Sequence, residues 1–366
     1  MLILGFAYII FFGMAFFVPK NHINKFFLFI AGILAIIACS VKPDVGMDLY
    51  RHYAVIVEFR RIGGKTVFDD ILFIRSIYFY LISLTPYNEF LPGITVFCVY
   101  YINLNIIYKI GKKYNVSTQY IVMSALLFIA SNNFLTTLSG IRSDLAFSIF
   151  LYFLYLELVE KKFKILSWLM YLLMCFLHNT MIIFVIFRLF IEIKNQLIIK
   201  GLQLLLLLWF FIINYIMAFL GSFTELSIIA LLTSQINVYV NLTEYNHFAI
   251  IYSSINLLGV LFFYSIFNCT AKNKFLECQY FLRLFPFIIF LLIGSIEIYY
   301  LYIRFISNLY LFNCIILMLL IHNISRAKDE IALNIKLIYF FIYVSLLFGN
   351  LIYLFTQYYV FIQFGL

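Results

Sequence analysis

The densest group of polar residues that could do chemistry lies between residues 42 and 70. Within it Asp48, Arg51 and His52 are spaced three and four residues apart, so they share one face if the segment is helical. A carboxylate, a guanidinium and an imidazole on one face could bind a phosphate or deprotonate a sugar hydroxyl. Pro and Gly just ahead of the group predict a short helix over residues 48–61. The alternative is a solvated interfacial helix with local ion pairs.

Two arginines begin apolar segments. Arg142 follows SNNFLTTLSG and precedes Asp144 by two residues, and Arg304 follows EIYYLY closely. A charged side chain at the end of an apolar helix either snorkels to the lipid headgroups or meets an anion. Because a guanidinium offers planar paired donors that suit phosphate oxygens, we predict that Arg142 and Arg304 bind a diphosphate.

His178 lies in an otherwise apolar stretch, between Leu177 and Asn179. An ionisable side chain in such a place is a functional candidate, which could accept a proton from an attacking hydroxyl or donate to a phosphate oxygen. The alternative is a neutral histidine bonded to helix backbone. No His or Cys stands at ligand spacing from it, and the six cysteines form no CxxC pair, so we expect no metal and no cofactor.

Tyrosines and glutamates near the same segment ends complete the candidate site. Tyrosine rings could stack on sugars, and Glu297 precedes Arg304 by one to two helical turns. The sequence does not single out the general base. The catalytic candidates are Asp48, His178, Arg142 and Arg304. The substrate-binding candidates are Tyr50, Arg51, Tyr53, Glu58, Glu297 and Tyr300.

The elements that must position these side chains are membrane-spanning helices. Hydrophobic residues make up 65% of the 366 residues, charged residues only 11%, and the mean hydropathy is +1.05, which excludes an ordinary soluble protein. The apolar runs fit spans of about 20 residues, without the alternation of a barrel. We therefore predict an all-α polytopic bundle of about twelve spans. They are 2–18, 24–41, 92–109, 118–136, 141–159, 165–178, 180–193, 200–220, 248–267, 280–299, 304–322 and 335–360.

Two stretches fit this scheme less simply. Segments 165–178 and 180–193 are short, so they form either a hairpin with His178 at its tip or one long tilted helix. Segment 71–86 is predicted to be an amphipathic or re-entrant piece. The residues expected to hold it at the membrane surface are Asp69, Asp70 and Arg75.

Basic residues predict the orientation. Alternate breaks hold 17 of the 25 Lys and Arg residues, which places those breaks in the cytoplasm and loops 42–70 and 221–247 outside. The net charge of +9 is then an orienting bias and no sign of nucleic acid binding. The chain is predicted to be one integral membrane domain, residues 1–366, without a nucleotide fingerprint. An outward-facing membrane enzyme of this kind needs a substrate that is already activated, such as a lipid-linked glycan.

Four motifs give the chain a resemblance to Wzy-type O-antigen polymerases of the EpsG-like group. They occur in the order and spacing of that group over most of the chain. The motifs are GMDLYRHY (46–53), IRSDLAFSIFLYFLYL (141–156), FLHNTMIIF (176–184) and RFISNLYL (304–311). The positions matched within them are Asp48, Tyr53, Arg142, His178 and Arg304.

The resemblance implies a glycosyltransferase-C-like fold and a polymerase of lipid-linked oligosaccharide repeat units at the outer face of the bacterial inner membrane. The donor would be the growing chain on undecaprenyl diphosphate, and the acceptor the non-reducing sugar of an incoming lipid-linked repeat. Membrane lipids and a chain-length regulator are the other partners it suggests. Members often carry a Glu after the first motif, where this chain has Phe68-Asp69-Asp70-Ile71. Either Asp69 or Asp70 replaces it, or the base lies elsewhere.

Other classes remain as alternatives. A lipid-linked oligosaccharide flippase or other transporter predicts polar residues in the cytoplasmic half of the spans and internal repeats, and the sequence shows neither. An O-antigen ligase would share the Arg and His chemistry but usually has a larger late outside loop. An acyltransferase needs a cytoplasmic donor entry, and the predicted orientation puts His178 on the opposite side.

Overall fold

Helices make up all the regular structure in the part of the chain that the computed structural model describes. The described residues are 2–15, 17–43, 48–64, 66–132, 134–209, 247–270, 274–295, 302 and 305–325. Four helical stretches are long and apolar enough to cross a membrane: Lys20–Cys39, Phe90–Lys113, Leu276–Gly294 and Phe305–Ser325. The all-α prediction is confirmed for the described residues. Loop 221–247 lies outside them except for its last residue, and span 335–360 lies wholly outside.

The described residues up to Phe190 form ten α-helices. They are α1 (Leu2–Ala15), α2 (Ile23–Cys39), α3 (Asp48–Ile62), α4 (Phe73–Ser83), α5 (Phe90–Lys113), α6 (Thr118–Ser131), α7 (Phe134–Ser139), α8 (Ile141–Leu158), α9 (Lys164–Leu177) and α10 (Met181–Phe190). The later described residues form five more α-helices. They are α11 (Gln196–Leu207), α12 (His247–Thr270), α13 (Leu276–Leu282), α14 (Leu284–Gly294) and α15 (Tyr310–Ser325).

The described residues up to Met181 and from Cys314 onward cluster as one compact unit, called unit 1 here, and those from Ile182 to Asn313 cluster as unit 2. In unit 1, α5 packs against α2 and α8, and α8 packs against α9. Gly93 permits the close approach of α5 to α2, because a Cβ there would clash with the Cys39 sulfur. In unit 2, α11 packs on α14, and the ring of Phe187 stacks on Phe287 with centroids 5.7 Å apart.

A hairpin of α3 and α4 lies within unit 1. Gly63 and Gly64 turn the chain after α3 with φ of +68° and +72°, a conformation that favours glycine. A Cβ on Gly64 would also clash with the ring of Tyr80. Buried apolar side chains of α3 and α4 then form one core with Ile141 at the start of α8. The predicted helix over residues 48–61 is confirmed as α3.

The predicted span 118–136 is not one continuous helix, because α6 ends at Ser131 and α7 begins at Phe134. The Tyr100 hydroxyl donates to the carbonyl of Asn132 at 2.9 Å, and the Asn132 amide donates to Thr137 at 3.2 Å. These bonds replace those that a continuous helix would make. The chain also leaves helical geometry at His178, which excludes one long helix over residues 165–193.

Candidate functional site

His52 lies at the centre of a group of charged side chains in unit 1. It belongs to the buried face of α3, with 8% of its surface exposed, and its ring centroid is 5.1 Å from that of Phe79 in α4. Leu49, Ile56 and Phe59 share this face at helical spacing and pack into the α3–α4 core. The apolar packing therefore fixes the position of the imidazole.

Charges from three elements act on this imidazole. The pKa of His52 is lowered to about 4, chiefly by burial and next by the charge of Arg142. Asp48 opposes this shift, while Arg75 and Arg51 add to it. The ring is therefore neutral at pH 7 and can accept a hydrogen bond from a hydroxyl. We call the group the His52 cluster. Its members are Asp48, Arg51, His52, Asp70, Arg75 and Arg142.

Asp48 and Arg51 form the outer part of the cluster. Arg51 Nη1 lies 3.4 Å from Asp48 Oδ1, and the two side chains are 72% and 31% exposed. The predicted shared face holds for Asp48 and Arg51, which form this pair, but Arg51 faces solvent whereas His52 faces the core. Tyr50, at 45% exposure, also faces outward. These positions leave Tyr50 and Arg51 accessible to a ligand.

Arg75 is a member that sequence reasoning missed as a site residue, whereas Asp70 was one of the two residues expected to replace the glutamate of related proteins. Asp70 accepts hydrogen bonds from the Leu72 N–H at 3.0 Å and the Ser76 hydroxyl at 2.8 Å, and it forms an ion pair with Arg75. Burial raises the pKa of Asp70, but these hydrogen bonds outweigh it and hold the pKa below its ordinary value. Asp70 is therefore a poor base. The sequence signal for this pair is an Asp three residues before the start of a helix that has Arg and Ser in its first turn.

Arg142 enters the cluster from the first turn of α8. Its neighbour Ile141 is fully buried in the core that includes Leu49 and Ile56 of α3. The turn before it is tight, because a Cβ on Gly140 would lie 2.9 Å from the Thr136 carbonyl oxygen. The sequence predicted Arg142 as a phosphate-binding residue, and the structure brings it to His52.

His178 ends α9 and is 8% exposed. Its N–H donates to the Met174 carbonyl at 2.9 Å, and its backbone is extended. The ring of Phe176 lies 4.8 Å from that of Phe73 at the start of α4. His178 therefore lies at the end of α9 that meets the helix start carrying Arg75.

The remaining candidates among the described residues do not gather at His52. The hydroxyl of Tyr53 is buried and makes no hydrogen bond to a described residue, and the ring packs against the α3–α4 core. Glu58 forms an exposed pair with Arg61 at 2.7 Å. Arg60 donates to the carbonyl oxygens of Ser83 and Thr85, which stabilises the end of α4. Three candidates lie outside the described residues: Glu297, Tyr300 and Arg304.

The chemistry of the cluster is that of an anion site beside a neutral acceptor of hydrogen bonds. Three guanidinium groups and two carboxylates surround a neutral imidazole. Guanidinium groups suit phosphate oxygens, whereas the described residues contain no group of three His, Cys, Asp or Glu that could hold a metal.

Comparison with known proteins gives a family whose function is compatible with this chemistry. The model of the EpsG family matches residues 24–362, which is nearly the whole chain. No curated protein and no solved structure matches it. The chain belongs to the EpsG family, which is related to the Wzy-like polymerases and indicates a membrane protein with a polysaccharide polymerase-like function.

Proposed function

We propose that the protein joins undecaprenyl-diphosphate-linked oligosaccharide repeat units into O-antigen or a related surface polysaccharide. The observation that carries this proposal is the His52 cluster in a member of the EpsG family. Guanidinium groups beside a neutral imidazole suit a substrate that presents a diphosphate beside a sugar hydroxyl.

In the proposed reaction the acceptor hydroxyl attacks the anomeric carbon of the growing chain. The bond from that carbon to the diphosphate oxygen breaks, a glycosidic bond forms, and undecaprenyl diphosphate leaves. Arg142 and Arg304 bind the diphosphate and stabilise the charge that develops on it. Asp48 or His178 orients the hydroxyl and takes its proton. The sugars contact further side chains: Tyr50, Arg51, Tyr53, Glu58, Glu297 and Tyr300.

The proposed setting is the bacterial inner membrane, with the site facing the periplasm. The long apolar helices and the distribution of basic residues support about twelve spans in a glycosyltransferase-C-like bundle. Partners in this setting are the lipid-linked donor and acceptor, membrane lipids and a chain-length regulator.

A polysaccharide gel from a strain that lacks the gene tests the proposal. The strain is complemented at equal protein level by wild type, by Arg61→Ala as an exposed control, and by four site variants. These are Asp48→Ala, Arg142→Ala, His178→Ala and Arg304→Ala. We expect single repeat units in the deletion strain, a restored ladder with wild type and Arg61→Ala, and no ladder with the two arginine variants.

Two other results would contradict it. Complete loss of surface glycan in the deletion strain indicates a flippase or a ligase, because neither transport nor transfer to the final acceptor then occurs. An intact ladder in the deletion strain excludes polymerisation by this protein.

A further inference from the structure

Arg75 stands in the first turn of α4, where Asp70 holds it. Their side chains are 29% and 27% exposed, so both are shielded from bulk water over most of their surface. Asp70 is itself fixed by donors from Leu72 and Ser76. A carboxylate bound on several sides gives the guanidinium a defined orientation, which an exposed pair such as Arg61 with Glu58 lacks.

The guanidinium of Arg75 has more donors than the described residues use. It carries five N–H groups, and its hydrogen bond among those residues runs from Nη2 to Asp70. Partly buried donors gain most from an acceptor that reaches them. Arg75 therefore combines a fixed position with unused donor capacity.

The place of Arg75 links it to the other candidate residues. Phe73, in the same helical turn, contacts Phe176 near the end of α9, and His178 follows two residues later. Arg75 and Arg142 also act together on the charge state of His52. The starts of α4 and α8 thus bring two guanidinium groups to one imidazole.

We propose that Arg75, positioned by Asp70, binds a phosphate oxygen of the lipid-linked diphosphate together with Arg142. The identity of the ligand rests on the proposed function. Two guanidinium groups from different helices can each engage one phosphoryl group, which a single arginine cannot do. Asp70 is a positioning residue in this scheme, because it acts on the ligand through Arg75.

The test measures the Kd of undecaprenyl diphosphate for the full chain in phosphatidylcholine nanodiscs. Arg75→Gln keeps much of the side-chain size and removes the charge, and Arg61→Gln makes the same change at an exposed pair. We expect Arg75→Gln to raise Kd about tenfold or more and Arg61→Gln to leave it unchanged. Equal Kd values for wild type and Arg75→Gln would overturn the proposal.

The Asp70→Asn variant distinguishes two roles of Asp70: positioning Arg75, and contributing negative charge to the electrostatic field of the site. Removing a negative charge strengthens anion binding if only the field matters. Removing the group that fixes Arg75 weakens it instead. We expect Asp70→Asn to raise the Kd of undecaprenyl diphosphate, and a lowered Kd would contradict the positioning role. The amide oxygen can still accept from Leu72, so the start of α4 is retained.

Two further arms complete the design. The first arm measures the Kd of phosphatidylglycerol, a lipid that offers phosphate from a headgroup. If Arg75→Gln weakens the binding of this lipid as much as that of undecaprenyl diphosphate, Arg75 binds the membrane surface and the proposal is overturned.

The second arm serves if Arg75→Gln does not fold. Arg75→Lys keeps the charge without the planar guanidinium, and we expect a Kd between those of wild type and Arg75→Gln. If binding of undecaprenyl diphosphate depends on Arg75 but the deletion strain still makes the polysaccharide ladder, the proposed function alone is refuted. If the protein is needed for the ladder but Arg75→Gln leaves the Kd of undecaprenyl diphosphate unchanged, this inference alone is refuted.

Discussion

Helix α8 carries charged residues at both ends, and the two ends differ in how those charges are satisfied. Arg142 at its start belongs to the His52 cluster, and Glu157, about 22 Å further along the helix, belongs to a second group. Glu157 is 7% exposed and accepts a hydrogen bond from the Tyr171 hydroxyl at 2.8 Å. We call the second group the Glu157 cluster. Its members are Lys109, Lys113, Tyr152, Tyr155, Glu157, Glu160 and Tyr171.

In the Glu157 cluster the protein supplies a partner for each charge. Lys113 donates to the carbonyl of Val159 at 2.6 Å, which caps the end of α8 with a cation. The Tyr155 hydroxyl donates to Glu160 at 2.5 Å. Lys109 donates to the Tyr152 hydroxyl at 3.1 Å and lies 4.9 Å from that ring's centroid. These contacts tie α5 and α9 to α8, so the charges serve the fold.

The His52 cluster differs at its centre. Charged side chains from three helices surround an imidazole that stays neutral, and the guanidinium of Arg75 has N–H groups beyond the one that bonds Asp70. A chain that keeps few charges retains them either to join helices or to bind a ligand. We infer that the charges at the Glu157 end of α8 join helices, and we propose that those at the Arg142 end bind a ligand.

The largest expected effect is on turnover in the Arg142→Gln variant. Loss of a group that stabilises developing charge costs about 10²- to 10³-fold in rate. We expect this fall with an unchanged thermal midpoint, measured on protein reconstituted with a lipid-linked repeat. Lys109→Gln, the matched change in the Glu157 cluster, should keep its turnover per folded molecule. Equal turnover losses in the two variants would remove the distinction between the clusters.

Tyr171→Phe should show the opposite behaviour. It removes a donor to a buried carboxylate and keeps the ring, so we expect the free energy of unfolding to fall by about 1–3 kcal/mol. Turnover per folded molecule should stay unchanged. Denaturant titration measures the free energy of unfolding and the polymerisation assay measures turnover, with Tyr87→Phe, at an exposed position, as control. A stable but inactive variant would show that the Glu157 cluster takes part in catalysis.

The imidazole of His52 predicts a pH effect on stability. Folding lowers its pKa from the ordinary 6.5 to about 4, so between these values the unfolded chain binds a proton that the folded chain does not. Stability therefore falls as the pH drops through this window. We expect His52→Gln to show a shallower fall in thermal midpoint, whereas His22→Gln, at an exposed position, should follow wild type. Parallel curves for all three proteins would contradict the neutral buried imidazole.

The smallest expected effect is that of Arg51→Ala on stability. The pair with Asp48 is exposed, so the free energy of unfolding should change by less than about 1 kcal/mol. Denaturant titration checks this value. A loss of several kcal/mol would mean that the outer part of the His52 cluster holds the fold as the Glu157 cluster does.

The helices are the part of the fold that the sequence predicts well. The predicted spans 24–41 and 141–159 correspond to α2 and α8 within two residues at each end, because hydrophobicity alone decides them. The break at Asn132 is different in kind. It depends on a hydrogen bond from Tyr100, 32 residues away in sequence, and no local pattern contains that information.

The candidate site divides in the same way. Asp48 and Arg51 follow from helical spacing, which is local. Arg75 does not, because its role depends on the turn that brings Asp70 to it and on the packing of α4 against α9. Apolar sequence around a charge predicts that the charge matters, whereas tertiary contacts decide whether it serves the fold or a ligand.

A structure of the protein with bound undecaprenyl diphosphate tests the central claim most directly. The account predicts phosphate density within hydrogen-bonding distance of the guanidinium groups of Arg142 and Arg75, beside His52. Phosphate density at Lys109 and Lys113 in the Glu157 cluster, with none near His52, would contradict it.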